Sequence, residues 1–161
     1  MLPRNLPRIL IVGFGNPSRS DDGLGWHIAT RLSRELSRAD VQVLARQQLT
    51  PEIAELASHA EKVLFVDAAR DGEPGSLRWR RVLPAASTGS DSHGLSPSAV
   101  VRLASDLYGG CPRAFLFTVA GETFETGDAM SQTVEAVVPL LLARIEQFIA
   151  GERETGDDGE I

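Results

Sequence analysis

Residues 9–25, ILIVGFGNPSRSDDGLG, decide the fold class of this chain. Residues 9–12 form an apolar, largely β-branched run of the kind found in a buried parallel strand. Gly13, Gly15 and the polar residues after them interrupt the strand, and apolar residues then recur at helical spacing from Leu24 onward. A strand that passes through a glycine-rich turn into a helix places that turn at the carboxyl edge of a sheet, where open α/β sheets bind ligands.

Two adjacent carboxylates, Asp21 and Asp22, precede this helix. One aspartate before a helix is usually an N-cap, because its carboxylate accepts hydrogen bonds from free backbone N–H groups, and Asp21 suits that role. A second acid is not needed for capping and adds like-charge repulsion. Asp22 is therefore a candidate functional residue, while this stretch alone leaves a structural role open.

Composition favours a single globular domain that stays in solution. The chain has 161 residues, of which 42% are hydrophobic, enough for one domain with a substantial core. Its one cysteine, Cys111, excludes an internal disulfide and a cysteine-rich zinc site, and suits a reducing compartment. The start of the chain shows no secretory signal pattern, and its apolar run is too short to cross a membrane. We therefore expect a cytoplasmic protein without a membrane partner.

The net charge of −6 is concentrated at the C-terminus. Residues 151–161 hold five acidic residues and one arginine, so they account for −4 of that charge. We interpret residues 1–150 as the α/β domain and residues 151–161 as an acidic, glycine-rich, disordered tail. The domain itself is nearly neutral and has no basic stripe, which argues against nucleic acid as a partner.

Further strands and helices alternate along the rest of the chain. Residues 63–68 form an apolar strand that should end near Asp67, because a charged group is costly in a core. Residues 114–119 form another buried strand, and Leu77 and Trp79 alternate with arginines as in a half-exposed edge strand. Helices are expected to start at Thr50, Ser96 and Ser131, with a kink at Pro139 in the last of them. The pattern predicts an α/β fold with a mostly parallel sheet and helices on both faces.

Three polar side chains are expected to meet at one edge of this sheet. Asp22 follows the first strand, Asp67 ends a central strand, and His93 lies in a loop just before a helix. Strand ends and helix starts share one edge of a parallel sheet, so these residues can line one cleft. Two carboxylates and an imidazole would suit an openly bound divalent metal. Alternatively, Asp67 caps a helix or pairs with an arginine, and His93 bonds to the backbone.

Several enzyme classes lack their motifs in this sequence. The patterns of serine hydrolases, zincins and thioredoxin-like proteins are absent. Gly13 and Gly15 begin a dinucleotide fingerprint, but Ser18 stands where the third glycine belongs. Asp21 and Asp22 at the helix start would also repel a pyrophosphate. A nucleotide-binding α/β domain is therefore a weaker alternative.

The ordered motifs resemble those of the endopeptidases that mature nickel–iron hydrogenases. The resemblance covers about residues 8–150. The matching segments are Gly13-x-Gly15-Asn16, Asp21-Asp22-Gly23-x-Gly25, Gln48-Leu49-Thr50-Pro51-Glu52, Val66-Asp67-Ala68, and Ser92-His93 followed by Leu95-Ser96-Pro97. It implies a single three-layer α/β domain of the hydrogenase maturation protease type, also called phosphorylase/hydrolase-like, with a twisted five-stranded sheet.

The resemblance also implies a function. Such an enzyme, an aspartic-type endopeptidase, removes the C-terminal extension of the [NiFe] hydrogenase large-subunit precursor after nickel insertion. Its metal-contacting and catalytic positions fall on Asp22, Asp67 and His93, and many relatives have Glu where this chain has Asp22. Nickel is expected to arrive with the precursor rather than to be held tightly by the free enzyme. The alternative is a non-catalytic chaperone that senses the loaded precursor without cutting it.

Overall fold

The structure is a computed structural model that describes residues 6–86, 94–152 and 158–160. Strands and helices largely alternate along the chain, as the sequence pattern predicts, although β4 directly follows β3. The elements are β1 (Ile9–Phe14), α1 (Leu24–Glu35), β2 (Val41–Arg46), α2 (Pro51–Ser58), β3 (Lys62–Ala69), β4 (Leu77–Val82), α3 (Pro97–Tyr108), β5 (Arg113–Ala120), α4 (Gln132–Glu135), α5 (Val138–Ile149) and β6 (Asp158–Glu160). A short 3-10 turn, Ser20–Gly23, leads directly into α1.

The strands form one mixed sheet in the order β2-β1-β3-β5-β4-β6. The four strands β2, β1, β3 and β5 run parallel, whereas β4 is antiparallel to β5. The parallel strands β1, β3 and β5 are apolar along nearly their whole length because helices cover both of their faces. The predicted α/β class with a mostly parallel five-stranded sheet is confirmed, and β6 adds a short sixth strand.

Alternate residues of the central strands supply two separate core layers. Ile11 and Leu64 point toward one face, where the buried side chains of α1 and α5 pack. Leu10 and Phe65 point toward the other face, which α2 and α3 cover. The sheet is therefore the middle layer of three. No helix among the described residues is both long enough and apolar enough to span a membrane.

Two local features differ from the sequence-based expectations. Strand β3 continues two residues beyond Asp67, to Ala69, because those residues still pair with β5. The last helix does not bend at Pro139 but is interrupted before it, and α5 restarts with this proline in its first turn. A proline has no N–H to donate, so the first turn of a helix is the place where it costs least.

The C-terminal segment contains an additional pairing. Within the expected acidic tail, Asp158–Glu160 lies antiparallel to β4, opposite Arg78–Arg80. Strand β4 would otherwise be the edge of the sheet, where unpaired backbone groups are available to another strand. Residues 153–157 and 161 lie outside the described part of the chain.

Glycines allow α1 to lie unusually close to the sheet. A Cβ atom on Gly25, the second residue of α1, would overlap the backbone oxygen of Val66 and lie 2.7 Å from the nitrogen of Phe14. A Cβ atom on Gly13 in β1 would likewise overlap the backbone oxygen of Gly25. The two glycines therefore set the distance between the start of α1 and strands β1 and β3.

We expect Gly25→Ala to lower the free energy of unfolding by about 3 kcal/mol or more, because backbone atoms must move to admit the methyl group. Gly109→Ala is the matched control: Gly109 has φ +72° and open space around its Cβ position. Its cost should be only about 1 kcal/mol of backbone strain. Urea unfolding of both variants checks this, and equal losses would contradict the packing argument.

Candidate active site

An open cleft of about 640 Å³ lies at the carboxyl edge of β1 and β3. Both carboxylates expected at this edge, Asp22 and Asp67, line it. Its lining consists of Phe14, Gly15, Asn16, Arg19, Asp22, Gln47, Gln48, Asp67, Ala68 and Arg70. The sheet topology thus brings together two acids that lie far apart in the sequence.

The turn after β1 holds Asp22 at the cleft. Gly15 has φ +142°, a conformation that glycine adopts without strain, and a Cβ there would overlap the carbonyl oxygen of Asp22. The backbone N–H of Asn16 donates to Asp22 Oδ2 at 3.0 Å. The glycine-rich turn and the 3-10 turn therefore fold onto each other and orient the carboxylate.

Asp67 is half-buried near the end of β3, between the buried residues Val66 and Ala68. Its Oδ1 accepts a hydrogen bond from the backbone N–H of Ala68 at 2.8 Å. Burial raises the pKa of Asp67 to about 7, and the charge of Asp22 adds to the rise, while the Ala68 N–H and Arg70 act in the opposite direction. A carboxyl group with this pKa is present in both protonation states near neutral pH, which suits proton transfer.

The third predicted site residue, His93, lies outside the described residues, so its position relative to Asp22 and Asp67 stays a prediction. Within residues 6–86, 94–152 and 158–160, no group of three or more His, Cys, Asp or Glu side chains is arranged to hold a metal ion. The described part of the cleft therefore offers two carboxylates as metal ligands.

Asp21 does not cap α1, so that interpretation of the sequence is wrong. Its side chain is fully buried and points away from the helix start, toward the loop after β5. The carboxylate accepts four hydrogen bonds: from the N–H groups of Glu122, Thr123 and Ser131 at 2.7–3.1 Å, and from the Ser131 hydroxyl at 2.9 Å. Burial alone would raise the pKa of Asp21, but these hydrogen bonds outweigh it and hold the pKa below its ordinary value.

Two arginines of the cleft were not identified from the sequence. Arg19 precedes the acidic pair, and Arg70 follows β3. Each contacts Phe124: Arg19 Nε donates to the Phe124 carbonyl at 3.3 Å, and the Arg70 guanidinium lies 4.3 Å from the centre of the ring. Arg19 lies a few residues after β1 and Arg70 directly after β3, so both could have been placed at the carboxyl edge of the sheet. Arginines are too common in surface loops for this position alone to mark them as functional.

Comparison with known proteins gives structural matches. No protein-family model matches the sequence, and a search of curated proteins finds no match. The [NiFe] hydrogenase maturation protease HycI from Thermococcus kodakarensis KOD1 is 25% identical, with a TM-score of 0.71, and covers 89% of this chain and 92% of that one.

Two further solved structures have a similar fold. The hydrogenase maturating endopeptidase HybD from E. coli is 22% identical, with a TM-score of 0.70 over 95% of this chain and 97% of that one. A hydrogenase 2 maturation peptidase from a Thaumarchaeota archaeon is 20% identical, with a TM-score of 0.65 over 88% and 97%. These neighbours are peptidases, the hydrolase class that the motif resemblance implied. The resemblance predicted from the sequence is thus confirmed, and the chain has the fold of the [NiFe] hydrogenase maturation proteases.

Proposed function

We propose that this chain is a cytoplasmic endopeptidase that removes the C-terminal extension of a [NiFe] hydrogenase large-subunit precursor carrying nickel. The observation that carries the proposal is the presence of Asp22 and Asp67 in one open cleft of a chain with the maturation protease fold. Solved structures named for hydrogenase maturation share this fold over about nine-tenths of the chain.

The geometry supports a division of labour between the two acids. The backbone N–H of Asn16 holds one oxygen of Asp22 at the cleft, and the other oxygen can contact a cation brought by the substrate. The raised pKa of Asp67, about 7, allows its carboxylate to take a proton from a water molecule as that water attacks the scissile carbonyl. The water oxygen adds to the carbonyl carbon to give a tetrahedral intermediate, and Asp67 then returns the proton to the amide nitrogen as the C–N bond breaks.

Nickel enters this scheme as part of the substrate. Imidazole and carboxylate groups suit a borderline divalent ion, so Asp22 and His93 would contact the nickel of a loaded precursor, while Asp67 would face it from the same cleft and act as the base. His93 is included on the strength of the motif resemblance. A precursor without nickel would lack the group that these side chains contact, so cleavage would wait for metal insertion.

The test is a processing assay on purified precursor, prepared with and without nickel. We expect loss of the C-terminal peptide, seen as a lower intact mass, only from the nickel-loaded form. His93→Ala should abolish this loss, whereas His59→Ala, which changes an exposed histidine after α2, should leave it unchanged.

Other outcomes of the same assay contradict the proposal. An unchanged mass with stable complex formation would identify a chaperone instead of a protease. Equal trimming of nickel-free and nickel-loaded precursor would show that nickel is not needed for recognition. Full trimming by Asp22→Asn, Asp67→Asn and His93→Ala alike would place the active site elsewhere.

A further inference from the structure

The two arginines of the cleft, Arg19 and Arg70, both contact Phe124 in the loop after β5. The carbonyl oxygen of Phe124 accepts the hydrogen bond from Arg19 Nε, and its ring lies under the Arg70 guanidinium. A cation over an aromatic face is attracted to the ring, which restricts the orientations of an otherwise mobile side chain. Phe124 therefore holds two positive groups in the cleft that Asp22 and Asp67 also line.

The loop that carries Phe124 is itself firmly anchored. Ser20 donates its N–H to Gly127 and its hydroxyl to the Glu125 carbonyl, both at 2.8 Å. Asp21 accepts from Glu122 and Thr123 on the other side of the phenylalanine. Ser20 adopts φ +52°, which is strained for a residue with a side chain and is held in place by these bonds. The loop that contacts both arginines is therefore fixed in position before a ligand binds.

Both guanidinium groups have donors available for a ligand. Among the residues that the structure describes, neither Arg19 nor Arg70 forms an ion pair with a carboxylate, in contrast to Arg31, Arg38 and Arg102. A guanidinium matches a carboxylate in shape and charge and can bind it through two parallel hydrogen bonds. A polyphosphate fits less well, because Asp22 and Asp67 would repel it within the same cleft.

We propose that Arg19 and Arg70 form a subsite for a carboxylate of the peptide being removed. This inference rests on the proposed endopeptidase function. An acidic group on the C-terminal side of the scissile bond would be held by the arginines while Asp22 and Asp67 face the metal and the peptide bond. The carboxylate comes either from the chain terminus or from an acidic side chain of the extension, and the two sources are separable by experiment.

The kinetic test uses single and double substitutions with nickel-loaded precursor. Arg19→Gln and Arg70→Gln should each raise KM about 3- to 10-fold, and the double variant about 10- to 50-fold, with kcat changed less than about twofold, because ground-state binding is what they remove. Arg34→Gln is the matched control: it removes the same charge from an exposed position on α1, outside the cleft, and should leave KM unchanged.

A product-inhibition assay identifies the source of the carboxylate. The released extension is synthesised as the free acid, as the C-terminal amide, and with its acidic side chains converted to amides. We expect one of the two modifications to weaken inhibition of the wild-type enzyme, and to have no effect on the double arginine variant. Equal inhibition by all three peptides would overturn the subsite, as would a double variant with unchanged KM.

A third measurement separates this inference from the proposed function. Arginine Nε–Hε signals are followed by NMR while N-acetyl-alanyl-alanine is added as the free acid or as the amide. Arg19 and Arg70 should shift with the acid alone, and Arg34 with neither. These shifts do not depend on cleavage of the precursor. If the processing assay fails but Arg19 and Arg70 still shift with the acid alone, only the proposed function is refuted. Absent or non-selective shifts refute the subsite.

Discussion

Asp67→Asn is expected to reduce processing of nickel-loaded precursor by about 10²- to 10⁴-fold, the usual contribution of a general base. The same substitution should stabilise the free protein by about 2–4 kcal/mol near pH 8, because it removes a charge that burial penalises. Asparagine is nearly isosteric, and its carbonyl oxygen can still accept the hydrogen bond from the Ala68 N–H. Loss of activity with a gain in stability is the combination expected of a functional site.

The pH dependence of this gain follows from the direction of the shift. The pKa of Asp67 is raised from an ordinary value of 3.8 to about 7, so the folded protein binds this proton more tightly than the unfolded chain does. The contribution of the neutral carboxyl group to stability is therefore complete below about pH 4 and is lost as the pH rises through about 7. The advantage of Asp67→Asn should grow over that interval and level off above it.

Urea unfolding of wild type and variant at several pH values between about 4 and 8 measures this effect. Asp106→Asn is the control, since Asp106 is an exposed acid paired with Arg102 at the surface, and its effect should stay within about 0.5 kcal/mol. A constant difference between Asp67→Asn and wild type across the pH range would show that Asp67 is not held in a desolvated position.

Asp21→Ala is expected to be the most destabilising of the aspartate substitutions, at about 3–5 kcal/mol. It deletes the acceptor of four hydrogen bonds and leaves the N–H groups of Glu122, Thr123 and Ser131 without it. These donors tie the loop after β5 to the turn before α1, so the loop should detach before the sheet unfolds. Hydrogen exchange at these three amides should therefore accelerate more than exchange in β3.

The pH dependence of the Asp21 contribution has the opposite sign to that of Asp67. Its pKa is lowered in the folded protein, so its stabilisation is present above the ordinary value of 3.8 and is lost as the pH falls through the folded value. Asp106→Ala serves as the matched control. A loss below about 1 kcal/mol for Asp21→Ala would contradict the anchoring role, because four charge-assisted hydrogen bonds should cost more to remove.

Local sequence patterns predicted most of the fold. The apolar run of β1 and the helix starts at Pro51 and Pro97 were recognisable because burial and backbone geometry act on neighbouring residues. The assignment of Asp22 and Asp67 to one cleft also followed, since alternating strands and helices leave one edge for strand ends. Ser96 caps its helix as expected, accepting from the Ala99 N–H at 3.1 Å.

The roles of Asp21 and Asp22 show where local patterns stop being informative. The two acids are adjacent and chemically identical, yet one is buried under a loop about a hundred residues away in sequence and the other faces the cleft. Which acid faces the cleft depends on the 3-10 turn and on the loop after β5. The spacing of the residues around Asp21 and Asp22 does not indicate either the 3-10 turn or the contact with the loop.

The sequence by itself determined the order of strands and helices, the edge of the sheet at which the acids lie, and the family that the motifs resemble. These follow from periodicity and from residue types that act over a few neighbours. Only the tertiary structure decided that Asp21 anchors the loop, that the pKa of Asp67 rises to about 7, and that Phe124 carries two arginines into the cleft. Burial and electrostatic surroundings are created by segments that meet only after folding, and they set the chemistry of each side chain.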